Sequence, residues 1–163
     1  MSMDLIINID GGSRGNPGPG AAAWVIKDKA GKPLLKEGLF MPLCTNNQAE
    51  FTALKMALAA AVRLGAKRLE IYSDSQLLVR QYGGQYKIKN PDLRLIMDDI
   101  KKLAAAFAAV NLKHVPRGQN KEADLMCNIT MDNTLKKKPA AATSVAPAPP
   151  KKPSQPELFA LPE

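Results

Sequence analysis

Three short apolar segments open the chain, and turn-forming residues separate each from the next. They cover residues 4–10, 20–28 and 33–40 and have the length and composition of strands. Strands that follow one another across such short connections pair antiparallel, because a parallel pair needs a crossover of a dozen or more residues. The sequence therefore predicts an antiparallel meander of three strands at the start of the fold.

Helices and strands alternate after this meander. Four helices and two strands are predicted, at 47–64, 75–83, 90–107 and 120–135 and at 67–74 and 110–117, respectively. Asn90 with Pro91 behind it is a strong helix start, and Asn120 is the expected N-cap of the last helix. This order predicts an α/β fold with a mixed five-stranded sheet, its first three strands antiparallel, flanked by helices.

The composition changes at residue 136. From there the chain is rich in Lys, Pro and Ala and has no periodic apolar face. Such a segment buries too little apolar surface to offset the entropy that ordering costs. We therefore expect one folded domain, 1–135, and a flexible, partly extended tail, 136–163.

The chain has a net charge of +8, and both the predicted domain and the tail are basic. A basic surface suits a polyanionic partner such as nucleic acid, although surplus lysine alone is also typical of a generic DNA-binding protein. Cys44 and Cys127 show no metal-ligand or disulfide spacing, so we expect reduced core residues. No secretory signal or transmembrane span is recognisable in the sequence, which predicts a cytoplasmic protein without a membrane partner.

Four acidic residues are predicted to meet at one edge of the sheet. Asp10 ends the first strand, Asp74 ends the fourth, and Glu50 lies in the first turn of the helix that begins at that edge. Asp124 joins them if the fifth strand is parallel to the first. Four such carboxylates repel one another unless cations lie between them, and oxygen ligands of this kind suit Mg²⁺ or Mn²⁺. Two such ions, about 4 Å apart, can promote phosphodiester hydrolysis.

Each acid also has an ordinary structural explanation. Glu50 stands three residues after Asn47, as in a capping box, and Asp124 complements the dipole of the last helix. Asp10 precedes two glycines, as a turn residue would, and Asp74 precedes Ser75 at a helix start. These explanations do not predict that all four acids meet at one edge, and their convergence favours a catalytic metal site.

The segments around the four acids resemble the type I ribonuclease H family. They are IDGGSRGNPGPGAAAWV around Asp10, TNNQAEFTAL around Glu50, IYSDSQLLV around Asp74 and HVPRGQNKEAD around Asp124. The resemblance covers residues 4–133 and implies a ribonuclease H-like fold. It also implies an endonuclease that cleaves the RNA strand of RNA/DNA hybrids with two divalent ions, leaving 5′-phosphate and 3′-hydroxyl ends.

The resemblance assigns roles residue by residue. The four acids match the family's catalytic metal ligands, and Glu50 also matches a residue near a ribose 2′-OH. Further positions match contacts to the nucleic-acid backbone, sugar or minor groove, and with Arg117 they form the expected substrate-binding set: Gly11, Asn16, Thr45, Asn46, Asn47 and Gln76. A nuclease without sequence preference is expected to bind phosphates and 2′-OH groups in this way. Taken alone, each asparagine reads as a turn or cap residue.

Two departures place the chain nearest the compact, reverse-transcriptase-like subgroup of the family. The basic helical protrusion of some members is missing, since only GGQYKIKNP occupies that interval. The mobile histidine before the last acid is missing too. His114, the only histidine, falls inside the predicted fifth strand, so Arg117 is the expected substitute.

The tail contains QPELF, residues 155–159, which resembles the peptide that binds the bacterial sliding clamp. The alternative is that these apolar residues pack on the body or bind nothing. For the whole chain, the other function considered is a non-catalytic hybrid-binding or scaffold module, which the presence of all four acids disfavours. We expect a monomer.

Overall fold

The computed structural model of the protein describes the backbone of residues 3–144 and the side chains of residues 3–135. Five strands are present: β1 (Asp4–Ser13), β2 (Gly18–Asp28), β3 (Pro33–Cys44), β4 (Arg68–Ser73) and β5 (Ala109–His114). Four α-helices accompany them: α1 (Asn46–Arg63), α2 (Gln76–Tyr82), α3 (Pro91–Ala104) and α4 (Lys121–Ser144). A 3₁₀ turn, Arg117–Gln119, lies between β5 and α4.

The sheet has the order β3-β2-β1-β4-β5 and confirms the predicted mixed topology. β2 pairs antiparallel with both β1 and β3, whereas β4 runs parallel to β1 and to β5. Ile9 pairs with Ser73, and Ser73 in turn pairs with His114. The register therefore places Ile9, and Asp10 after it, at the edge of the sheet where β4 and β5 end.

Apolar side chains fill both faces of the sheet. The larger core joins alternate β1 residues, such as Ile7 and Ile9, to α1 residues such as Phe51 and Leu58, and it continues into α2 and α3. The smaller core joins Ala21 and Ala23 of β2 to Cys127 and Met131 of α4. Because α1 and α4 pack on different strand residues, the sheet lies between them and each helix brings an acid to its edge.

Five predicted boundaries were wrong by three residues or more. β3 continues to Cys44, four residues past its predicted end, and β5 ends at His114, three residues before its predicted end. β1 continues through the two glycines to Ser13, which pairs with Gly20. When the partner strand consists of small residues, glycines can extend the strand pairing as well as end it. α3 ends at Ala104, three residues before the predicted end. α4 extends beyond residue 135 to Ser144, since alanine and lysine favour helix even without an apolar face.

The packed body ends at Met131, and a second unit begins at Asp132. The proposed domain boundary at residue 135 stays a prediction, and the Gln155–Phe159 segment lies outside the described residues. Both cysteines are free and buried, as predicted. Among the described helices, none is long and apolar enough to span a bilayer.

Candidate active site

A cavity of about 450 Å³ opens at the sheet edge where β1 and β4 end. All four predicted acids line it: Asp10, Glu50, Asp74 and Asp124. They come from β1, α1, the β4–α2 junction and α4, so four separate segments each contribute one carboxylate. The cavity also contains Gly11, Asn46 and Arg117 from the predicted substrate-binding set.

Close backbone contact between β1 and α1 brings Glu50 to this cavity. A Cβ placed on Gly11 would lie 2.3 Å from the carbonyl carbon of Ala49 and 2.5 Å from the backbone nitrogen of Glu50. Only glycine permits this approach, since real Cβ contacts are longer. Gly11 therefore contributes to the site through its missing side chain as well as its position.

A capping box does begin α1, but it does not use the Asn47–Glu50 pair considered as the ordinary alternative for Glu50. The Thr45 hydroxyl accepts a hydrogen bond from the Gln48 backbone N–H at 3.1 Å, and the Thr45 N–H donates to the Gln48 side chain at 2.9 Å. This is a complete capping box. The pairing of Asn47 with Glu50 was therefore wrong, because the helix begins two residues earlier than that pairing requires. Glu50 takes no part in this cap and lines the cavity.

Burial and mutual repulsion raise the pKa of three of these acids: Asp10, Glu50 and Asp74. Burial, the charge of Asp74 and a hydrogen bond with Asp124 raise the pKa of Asp10 to about 8. Burial also raises the pKa of Glu50 to about 7, against a hydrogen bond with Ser75 that lowers it. Without cations, this cavity therefore holds protons that free carboxylates would lose at neutral pH.

Arg117 supplies a compensating positive charge. Burial raises the pKa of Asp74, whereas the charge of Arg117 lowers it. Arg117 Nη2 also lies 3.5 Å from Asp124 Oδ1, and 79% of the Arg117 side chain is exposed. The guanidinium therefore faces both acids from the solvent side of the cavity.

The donor set suits hard divalent cations, although it is not a closed cage. No group of three or more acidic, histidine or cysteine side chains in the described part of the chain is arranged to enclose one ion. Mg²⁺ seldom needs such a cage, since one or two carboxylates, waters and substrate phosphates usually complete its shell. Four oxygen-donating acids around an open cavity fit shared ligation of that kind.

Two predicted substrate-binding asparagines interlock beside the cavity. Asn16 Oδ1 accepts from the Asn46 backbone N–H at 3.1 Å, and Asn46 Oδ1 accepts from the Ser13 N–H at 2.8 Å. These bonds tie the β1–β2 loop to the start of α1. Four members of the predicted set do not line the cavity: Asn16, Thr45, Asn47 and Gln76.

Sequence reasoning missed several contributors. Ser75 caps α2 and hydrogen-bonds Glu50, and Arg14 lines the cavity. Asn120 precedes α4 as predicted, but its side chain was wrongly expected to cap that helix. It instead bonds Asn8 and Ile9 of β1. The sequence signal that could have pointed to Asn120 as a contributor to the site was its spacing from the acid, Asn120-x-x-x-Asp124. His114 is the last residue of β5, which confirms it as a strand residue.

The matches to known proteins cover the folded body described above. A family model described as reverse transcriptase-like matches residues 8–130. Bifunctional protein Rv2228c of Mycobacterium tuberculosis is 39% identical over 147 residues, or 88% of this chain and 38% of that protein. The chain thus spans well under half the length of this relative. Ribonuclease HI of Halobacterium salinarum is 40% identical over 124 residues, covering 76% of this chain and 62% of that protein.

Solved structures extend the likeness to three dimensions. The N-terminal RNase H domain of Rv2228c matches with a TM-score of 0.80 at 36% identity, covering 84% of this chain and 99% of the other. LC11-RNase H1, solved in complex with an RNA/DNA hybrid, matches with a TM-score of 0.76 at 35% identity, covering 80% and 99%. Because sequence and structure agree over this body, the chain belongs to the ribonuclease HI family.

Proposed function

We propose that this chain is an endoribonuclease that hydrolyses the RNA strand of RNA/DNA hybrids and leaves 5′-phosphate and 3′-hydroxyl ends. The observation that carries the proposal is the convergence of four acids from four segments on one open cavity. Family membership supports the reaction class, and the relative solved with a hybrid supports the substrate.

Asp10, Glu50, Asp74 and Asp124 would hold the divalent ions. When bound, two Mg²⁺ or Mn²⁺ ions would activate a water and stabilise the leaving oxygen of the phosphodiester. The acids must lose their protons first, and the raised pKa values of Asp10 and Glu50 make that loss dependent on cations. Activity should therefore require added metal.

The rim of the cavity offers neutral hydrogen-bonding groups for substrate. The amide oxygens of Asn16 and Asn46 are engaged by backbone N–H groups, so their NH₂ groups remain as donors for phosphate or sugar oxygens. Glu50 is the fifth residue of α1, one turn later than predicted, and would accept from a ribose 2′-OH. That contact distinguishes RNA from DNA. Gly11, Thr45, Asn47 and Gln76 would complete the contacts along the backbone.

Arg117 would take the place of the family's mobile histidine. Its guanidinium pairs with Asp124 but is mostly exposed, so it can exchange this partner for a phosphate oxygen. We expect it to help the cleaved phosphate leave the acids. An interaction between Gln155–Phe159 and a sliding clamp stays a separate prediction, as does the monomeric state.

The test is cleavage of end-labelled RNA/DNA hybrid in Mg²⁺ or Mn²⁺, with RNA/RNA and DNA/DNA duplexes alongside. Asp10→Asn, prepared identically, excludes a contaminating nuclease. Cutting of the hybrid alone, dependent on metal and lost in Asp10→Asn, is expected. Tight hybrid binding without cutting in either metal would instead identify a non-catalytic binding module.

A further inference from the structure

Asn120 is a buried polar residue behind the acidic cavity. It lies between the 3₁₀ turn and α4, and only 1% of it is exposed. A polar side chain this deeply buried is costly unless each of its groups finds a hydrogen-bond partner. The partners of Asn120 therefore indicate what the residue does.

The side-chain amide connects two strands that carry acids. Asn120 Nδ2 donates to the Ile9 carbonyl at 2.7 Å, next to Asp10, and the side chain also hydrogen-bonds Asp74. Its oxygen, Oδ1, accepts from Asn8 Nδ2 at 3.0 Å. The amide thus connects β1, at the residue before Asp10, with Asp74, which directly follows β4.

The backbone of Asn120 connects a third acid. Its carbonyl accepts from the Asp124 N–H at 3.1 Å, which fixes the first turn of α4. Its N–H donates to the Arg117 carbonyl at 3.0 Å, so the turn that carries the guanidinium is attached to the same residue. Asn120 therefore touches the segments of Asp10, Asp74 and Asp124.

We infer that Asn120 is a positioning residue that sets the spacing of Asp10, Asp74 and Asp124 for metal binding and hydrolysis. The inference rests on the proposed function. An amide is needed because one group must donate to a carbonyl and a carboxylate while accepting from Asn8. Aspartate lacks the donors, and leucine keeps the shape but lacks every hydrogen bond.

The test compares Asn120→Ala and Asn120→Leu with the unchanged chain. Asn90→Ala is the matched control, since Asn90 caps α3 through the Asp92 and Leu93 N–H groups. For each folded protein, three quantities are measured: Tm, kcat and KM on RNA/DNA hybrid, and Mn²⁺ binding without substrate by electron paramagnetic resonance of the free ion. Mn²⁺ binding does not depend on hydrolysis.

Both Asn120 variants should lose about 10–100-fold in kcat and bind Mn²⁺ more weakly, with KM for hybrid changed by about threefold or less. Asn90→Ala should lower Tm without either loss. The inference is overturned if kcat and Mn²⁺ binding of folded Asn120→Leu stay within about threefold of the unchanged chain. It is equally overturned if neither variant folds, because Asn120 then serves folding alone. Failure of the unchanged chain to cut hybrid would refute the proposed function, while Mn²⁺ binding would still decide the role of Asn120.

Discussion

Gly11 and Ala49 approach so closely that no side chain fits between them. A Cβ on Gly11 would meet the Ala49 carbonyl oxygen at 2.4 Å. Because β1 carries Asp10 and α1 carries Glu50, this contact sets how far apart two of the four acids lie. The geometry of the site therefore depends on a residue with no functional group.

Gly11→Ala should separate α1 from β1 and misplace Glu50. Overpacking of a tight core contact costs about 1–3 kcal/mol, and here the clash is with backbone that has little freedom to move. We expect hydrolysis to fall by about 100-fold or more, since small displacements of reacting groups have large effects. Gly31→Ala is a control, because nothing lies within 4 Å of its Cβ, although its φ of +88° adds strain. Equal activity of Gly11→Ala and Gly31→Ala would contradict this reading.

Metal-free protein should lose stability as the pH rises. Burial, foremost, raises the pKa of Asp10 from 3.8 to about 8. Between these values the folded protein holds a proton that the unfolded chain has lost. The free energy of unfolding therefore decreases with increasing pH across this window. Thermal melting in a chelator from pH 5 to pH 8 measures the slope, and saturating Mg²⁺ should reduce it.

Asp10→Asn should remove most of this dependence. An amide has no proton to lose, so the metal-free variant should melt about 3–8 °C above the unchanged chain at pH 8 and much closer to it at pH 5. Asp98→Asn, on the exposed face of α3, is the control and should leave the slope as it was. An Asp10→Asn protein less stable than the unchanged chain at pH 8 would show that Asp10 is not strained in the metal-free state.

Arg117→Ala should slow turnover more than it weakens substrate binding. Loss of the guanidinium removes the 3.5 Å partner of Asp124 and the cation that we expect to receive the departing phosphate. We expect kcat to fall by about tenfold with little change in KM, since a partner of a metal-binding carboxylate typically contributes about 10–100-fold. Arg117→Lys should recover part of the loss. Lys113→Ala removes an exposed cation paired with Glu70 and should change neither constant.

Thr45→Ala should destabilise α1 and also disturb the active site. Loss of an N-cap costs about 1 kcal/mol, and here the cap lies five residues before Glu50. Asn90→Ala removes the cap of α3, away from the cavity, at a similar cost in stability. Steady-state kinetics on hybrid should therefore show a loss for Thr45→Ala that Asn90→Ala does not share. Equal activity of the two folded variants would mean that the capping box serves stability alone.

Much of the fold was predictable because its signals are local. Apolar runs and turn residues marked five strands, and the short connections required the antiparallel meander. The convergence of Asp10, Glu50, Asp74 and Asp124 followed from strand direction alone and did not need side-chain coordinates. Topology carries such information because the ends of parallel strands meet at one edge.

The missed features depend on contacts distant in sequence. Gly11 and Gly12 read as a turn, since their pairing with β2 and the approach of α1 are not visible locally. Asn120 read as a helix cap because the alternative partner, Ile9, is 111 residues away. The capping box on Thr45 was not predicted, and one on Asn47 was considered instead, because both positions offer a capping side chain before a glutamine or glutamate.

We propose that the four acids act together on an RNA/DNA hybrid. The most direct measurement is cleavage and binding of one labelled hybrid by the unchanged chain and by Asp10→Asn, Glu50→Gln, Asp74→Asn and Asp124→Asn. We expect every variant to lose about 100-fold or more in kcat while binding hybrid within about fivefold of the unchanged chain. Full activity in any one variant, or no cleavage by the unchanged chain in Mg²⁺ or Mn²⁺, would contradict it.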